Sequence, residues 1–421
     1  MNVNVRRWVI FALFGLAYLT VFIQRMGMAV INPDVAATLG LAPDQMGTLG
    51  STGFYAYAIS ILFSGFLATK LGPRRTITIF FGLAGLGAAL FSTTTSYSLL
   101  MLAVAMLGCG TSVVVTSATV SFSRWFTMKE FAQLMAFYFF FGGIGNFVGT
   151  APLSFLSHTL GWRFTFTAIA CLMLSVAALA AFLVRDFPPE GAIPRDDEPA
   201  KTEGPKLSML YYLGQAVRNK NFWCIAGWYG TIHSVYYTFG GIWAGMYFRD
   251  VYGLTRTEFG GILMMGAVGF TFGGPLLTWL CNNVFKSYRT GIALSNVLCA
   301  IGIALLVLNI DSLSLTALYF VVLLIGMASA PSALVYATTR AVFGPHMAGA
   351  LAGVWSFVLF GSGGILSMII GNVVNSARAA GATNAEAYHS AFYIFLGCAV
   401  VGLLAGLFLK DAYVKPEEKK A

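Results

Sequence analysis

A chain of 421 residues with 58% hydrophobic and only 10% charged side chains falls outside the soluble globular class, where about a quarter of residues are charged. The composition suits a bundle of helices in a bilayer, each needing about 20 apolar residues to cross. The formal net charge of +9 would suit nucleic acid, but its placement along the chain follows membrane topology, so no nucleic-acid partner is expected.

The N-terminal stretch MNVNVRRWVIFALFGLAYLTVFIQ is basic and then apolar, runs past signal-peptide length and ends in no small-residue cleavage site. It reads as a retained first span. Apolar runs then predict twelve spans near 8–38, 46–69, 75–93, 98–122, 131–154, 162–184, 222–248, 257–281, 289–309, 313–337, 347–374 and 390–410. Residues 186–220 interrupt them; within this stretch, 186–206 hold five of the 13 prolines and show no apolar periodicity. The expected organisation is a six-helix half at 1–185, a linker at 186–220, a second six-helix half at 221–410 and a tail at 411–421. With the N-terminus inside, twenty of the 25 Lys and Arg fall in cytoplasmic segments. Only Arg163, Arg249, Arg256 and Arg378 lie outside, and Arg25 lies within span 1. This bias predicts a multi-pass protein of the cytoplasmic (inner) membrane with both termini in the cytoplasm.

The halves also resemble each other. GLAPDQMG (40–47) matches GLTRTEFG (253–260) at an offset of 213, and RT at 75–76 matches RT at 289–290 at 214. Arg124, Ala132 and Ala136 match Arg340, Ala348 and Ala352 at 216, and RD at 185–186 matches KD at 410–411 at 225. A slowly drifting offset is the trace of a duplication with small loop insertions.

Metal, cofactor and enzyme chemistry find no support. The histidines (158, 233, 346, 389) form neither HxxxH nor HExxH, and the six cysteines form no CxxC. The cysteines read as small packed side chains. No serine, metal or carboxylate constellation falls within the spans. Neither a cofactor nor an intramembrane enzyme is expected, and the duplication suits a rocking carrier better than a channel.

Between spans 2 and 3 stands GFLATKLGPRRT (65–76). It resembles the signature loop of the major facilitator superfamily, G-x-L-A-D-R-x-G-R-R, at Gly65, Leu67, Ala68, Lys70, Gly72, Arg74 and Arg75. It departs from that loop at Thr69, where the family usually has aspartate. The first half is similar to the organophosphate and organic-anion branch. Arg25 and Pro33 stand as R-x7-P in span 1, followed by RWF…KE (124–130), GWR (161–163) and RDFPPEG (185–191). The resemblance implies an all-α membrane fold of twelve helices in two pseudo-repeated halves. It makes Arg25 an anion-binding residue and Gly65, Thr69, Lys70, Gly72, Arg74, Arg75 and Arg124 a gating loop region. In the family, the loop aspartate ties the loop to a basic residue and a helix end. Thr69 supplies no charge but can cap a helix N-terminus, so a weaker latch is expected. Gly65 is expected to allow close helix contact.

Three departures bear on the substrate. Organophosphate members place a second arginine in span 7, where the offset of 213 puts Thr238, and a basic residue in span 2, near Ile61 here. FGGIGNFVG (141–149) is similar to nitrate porters, but their span-2 arginine is also missing. One cavity cation balances a monoanion, such as a carboxylate, better than a phosphate dianion.

An arginine inside a span costs roughly 2.5–3.5 kcal/mol on insertion scales, which marks Arg25 as functional; bonding to backbone carbonyls between helices is the other reading. Tyr18, Phe22, Ala29 and Asn32 share its helix face. On span 7, Tyr229, His233, Tyr236 or Tyr237, and Gly240 share a face. His233 either couples a proton to transport or hydrogen-bonds within a packed interface. All 16 Asp and Glu lie in loops, linker, tail or span ends. Proton symport would therefore need His233 or Asp34, and anion exchange neither. Asn146 either reaches substrate or bonds between helices. Tyr336 and Trp355 are candidate cavity-wall residues, and glycines in spans 5 and 11 suit thin, sliding helices. The function expected is alternating-access transport of a small organic monoanion, with a proton or counter-anion as the coupled species, by a monomer in the lipid bilayer. The rival is an exporter of amphipathic compounds in which Arg25 is structural.

Overall fold

A computed structural model describes residues 2–189, 209–330 and 332–411, which fold into helices with no strand among them. Span 1 is Val3–Leu39, span 2 Pro43–Lys70 and span 3 Pro73–Thr93. Span 4 joins Tyr97–Thr111 to Val114–Trp125, span 5 joins Met128–Val148 to Ala151–Leu160, and span 6 is Trp162–Leu183. Span 7 runs through Lys220–Thr238, a π-helical turn Phe239–Trp243, and Ala244–Tyr252. Span 8 is Arg256–Trp279 with a π-helical end Leu280–Phe285, and span 9 is Tyr288–Leu308. Span 10 starts as Leu315–Ala328 and continues into the helix Ser332–Ala379, which leaves helical dihedrals at Gly344 (φ 81). That break begins span 11, and span 12 is Asn384–Phe408. The twelve spans thus stand where the apolar runs put them.

Among the described residues, nine helices are long and apolar enough to cross a membrane, and the two pieces of span 5 make a tenth. Spans 7 and 10 complete the twelve as broken helices, the first rich in Tyr, His and Thr. Spans 5 and 12 start several residues before their apolar runs, at Met128 and Asn384, because polar caps extend them. Three spans start on a capping box: Thr127 with Glu130, Thr255 with Glu258, and Thr383 with Glu386. In each, the threonine and glutamate side chains satisfy backbone N–H groups that the helix leaves open.

Most of the predicted linker, residues 190–208, and the tail beyond Asp411 lie outside the described residues. The end of the linker forms a short helix, Met209–Ala216, that the sequence reading missed. All six cysteines are free thiols, and Cys171 is exposed rather than packed.

The chain forms two compact units: Met1–Gly27, Thr52–Gly149 and Leu156–Leu207 in one, Met28–Ser51, Thr150–Phe155 and Ser208–Ala421 in the other. The second unit therefore includes the ends of spans 1, 2 and 5. Within it, Asn32 Nδ2 donates to the Ile242 carbonyl (3.3 Å), Ser367 Oγ to that of Gly47 (3.0 Å) and Ser154 Oγ to that of Arg256 (2.6 Å). These bonds pair span 1 with 7, 2 with 11, and 5 with 8.

The four arginines that break the charge bias all have local partners. Arg163 donates to the carbonyls of Ser92 (2.8 Å) and Thr94 (3.1 Å) in the first unit. In the second, Arg256 pairs with Asp34, and Arg249 and Arg378 share Asp250.

Candidate functional site

Arg25 is half-buried on span 1, in the first unit. Its guanidinium lies 4.9 Å from the ring centre of Tyr57 on span 2 and 5.6 Å from that of Phe22 one turn back. Such cation–π contacts are worth about 0.5–2 kcal/mol and hold the planar group without neutralising it. Tyr18 stacks on Tyr138 of span 5 at 4.6 Å and meets Phe22 edge-on at 5.1 Å. A Cβ on Gly142 would reach Tyr18 at 2.4 Å, and one on Gly145 would reach the Leu19 carbonyl oxygen at 2.3 Å. The span-5 glycines thus let span 1 come close enough for the aromatic cluster to form. Tyr57 and Tyr138 were missed in the sequence; both are buried. Only their helical spacing could have found them, and many aromatics share it. Asn146 is fully buried on span 5.

The span-7 candidates gather in the second unit. Tyr237 is buried among Tyr236, Phe270 of span 8 and Phe360 of span 11, with ring centres 5.4–6.1 Å apart. Thr238 is fully buried, and its hydroxyl donates to the Gly363 carbonyl of span 11 at 3.2 Å. His233 is fully buried against Tyr229 (4.2 Å) and Trp228 (5.9 Å), and neither ring nitrogen has a hydrogen-bond partner. Trp355 is fully buried against Phe222 at 5.1 Å, whereas Tyr336 is exposed. These two do not share one surface.

The loop after span 2 differs from expectation at two residues. Gly65 is exposed, and a Cβ there would meet nothing within 4 Å, so it is not a close-contact point. Thr69 caps no helix N-terminus; it sits in the last turn of span 2, and its hydroxyl donates back to the Gly65 carbonyl at 2.7 Å. The carboxylate the loop lacks comes from Asp186, just past span 6. Its Oδ1 accepts the Arg74 backbone N–H at 2.9 Å, at the start of span 3. Gly72 has φ 85, and a Cβ on it would lie 2.6 Å from the Asp186 carboxylate. Both facts require glycine there.

The cations of this region share few partners. Arg74 donates from its guanidinium to the Ala181 carbonyl (2.8 Å from Nε). Arg124 donates to the Asp186 carbonyl at 3.4 Å and lies 4.3 Å from the Phe187 ring centre. Lys70 and Arg75 are exposed, with the Lys70 ammonium 5.3 Å from the Phe66 ring centre.

The second half repeats the device. Asp411 accepts the Tyr288 N–H (3.2 Å) and the Ser287 hydroxyl at the start of span 9. Lys286, offset 214 from Gly72, shares its positive φ. Asp186→Ala is expected to cost about 0.5–2 kcal/mol of stability, the usual worth of a helix N-cap, and Asp186→Asn less. Thermal unfolding in detergent measures both.

The chain thus has two like halves of six spans, each with this loop. The model for the Major Facilitator Superfamily matches residues 14–368. The chain belongs to that superfamily. Among Major Facilitator relatives, the "Probable sulfoacetate transporter SauU" of Cupriavidus necator is 25% identical over 182 residues, 43% of this chain and 42% of that one. The "Probable L-galactonate transporter" of Escherichia coli is 24% identical over 322 residues, 73% of this chain and 69% of that one. The first of these matches thus spans less than half of the relative's own length. A solved bacterial homolog of the human lysosomal transporter Spinster superposes with a TM-score of 0.77 at 16% identity. It covers 97% of this chain and 99% of that chain, which shows the fold. These relatives and the structural neighbour are transporters, not enzymes.

Proposed function

We propose that this Major Facilitator protein carries a small organic monoanion, such as a carboxylate or sulfonate, by alternating access. The observation that carries the reading is Arg25, a half-buried arginine within a span, set over the Tyr57 ring. A guanidinium is a planar fork that matches an oxyanion, and a bound anion offsets the cost of a charge within a span. Thr238 at the repeat-related position brings no second cation, so a monoanion balances the site and a dianion leaves one charge unmatched in low dielectric. The names of the two bacterial relatives, for sulfoacetate and L-galactonate, agree with an anionic substrate. In the first unit Tyr18, Tyr57 and Tyr138 supply aromatic groups near Arg25 and Asn146 a polar one; in the second unit His233, Tyr237, Thr238, Tyr336 and Trp355 are the substrate-binding candidates. The distribution of Lys and Arg supports an inner-membrane location with both termini cytoplasmic.

A thermal-shift screen of purified protein with carboxylates, sulfonates and phosphate esters tests the reading. Stabilisation by monoanions above matched dianions is expected. Stabilisation by uncharged or cationic amphiphiles alone would favour the exporter instead.

A further inference from the structure

Asp34 and Asp44 are the described carboxylates that bury an oxygen without a hydrogen-bond partner, and Asp34 is the one that is also ion-paired. It stands nine residues past Arg25, at the tip of span 1 that belongs to the second unit. One oxygen, Oδ1, pairs with the Arg256 guanidinium at the start of span 8. The other, Oδ2, is buried with no hydrogen-bond partner. The neighbouring acid, Asp250, is held far more fully. It takes Arg249 (2.7 Å), Arg378 of span 11 (2.8 Å) and the Tyr388 hydroxyl of span 12 (3.1 Å). Arg249 is the other cation beside Asp34, and it is committed to Asp250 and to the Pro33 carbonyl. Thus the charges facing Asp34 are Arg256 from span 8 and Arg249 from span 7, and Arg256 alone is bonded to it.

The same tip is closed by backbone contact. Pro33 has no N–H, so the Ala29 carbonyl one turn back loses its helical donor. Gly245 of span 7 packs against that carbonyl, and a Cβ there would lie 2.0 Å from the oxygen. Asn32, Ala29 and Val35 are buried beside it. The Asp34–Arg256 pair therefore joins the tip to span 8, while the Arg249 bond to the Pro33 carbonyl joins it to span 7.

We propose that Asp34 is a proton-binding site of the transport cycle: a proton taken on Oδ2 cancels the charge that holds Arg256 and loosens the tip of span 1 from span 8. The proposal rests on the transporter reading above and adds to it the coupled species, a proton. A carboxylate with one bonded and one dry oxygen suits this role, since the protonated oxygen no longer needs a donor. His233, the other titratable candidate, is fully buried against Trp228 and Tyr229, whereas the Asp34 side chain keeps 15% exposure. Asp34 is thus the more exposed of the two.

The test needs no substrate, so its failure is separate from failure of the anion reading. Val35, fully buried next to Asp34, is replaced by cysteine in the full-length protein in proteoliposomes. Its rate of reaction with a membrane-impermeant maleimide, above that of the parent, is divided at each pH by the rate of the same cysteine in denatured protein, because only the thiolate reacts. With Asp34 present, this ratio is expected to rise about tenfold as the pH falls from about 8 to about 4, into the ordinary carboxylate range. In Asp34→Asn, the ratio should be high at both pH values. Arg256→Gln, which leaves Asp34 without its partner, should behave alike and serves if the first variant does not assemble. A flat profile with Asp34 and Arg256 intact, or an unchanged pH response in either variant, overturns the proposal.

Discussion

Arg25→Ala abolishes uptake of the anionic substrate while the protein still inserts and folds. Removing one partner of a desolvated charge pair costs about 2–5 kcal/mol, which takes transport below the background of empty vesicles. Stability moves the other way or little, because the alanine variant no longer buries a charge within a span. Arg25→Lys is expected to fail nearly as badly. Lysine keeps the charge, but it lacks the flat fork that grips two oxygens and that lies over the Tyr57 ring 4.9 Å away. Labelled-substrate uptake at matched expression measures both, alongside the anion-dependent thermal shift of each variant. Near wild-type transport by Arg25→Ala would remove the anion site from span 1.

Gly245→Ala blocks transport through a different cause. Its new Cβ would stand 2.0 Å from the Ala29 carbonyl oxygen and 3.4 Å from Pro33 Cγ. Backbone at 2.0 Å does not give way as a flexible side chain would, so spans 1 and 7 must part. A fall in transport of tenfold or more is expected, with the Val35→Cys reporter labelled at every pH. Gly361→Ala, where a Cβ meets nothing within 4 Å, is the matched control and should transport normally. If both variants transport alike, close approach at Gly245 has no part in the cycle.

The glycines show where sequence reading stops. Their density in spans 5 and 11 marks close helix packing, and that holds for Gly142, Gly145 and Gly371. Gly65 and Gly361 look the same in sequence but touch nothing. A glycine records only a missing side chain; which neighbour uses the space depends on a helix far away in the chain. Asp186 is the reverse case. As one acid in a polar, proline-rich stretch it reads as a solvated linker residue, yet its Oδ1 caps span 3 across 112 residues of sequence. Its repeat partner Asp411 does the same for span 9, so the RD/KD match at offset 225 was the available signal.

By itself, the sequence determined the twelve spans, the duplication, the family and the one arginine inside a span. All of these follow from local terms: apolar run length against bilayer thickness, the cost of a charge in it, and the order of motifs along one chain. Only the tertiary structure decided that Tyr57 lies beside Arg25, that Asp34 meets Arg256, and that Asp186 replaces the missing loop acid. Those contacts join residues 32, 222 and 112 positions apart. Nothing local selects such partners, because a lipid-embedded helix can turn many apolar faces toward its neighbours, and packing chooses among them.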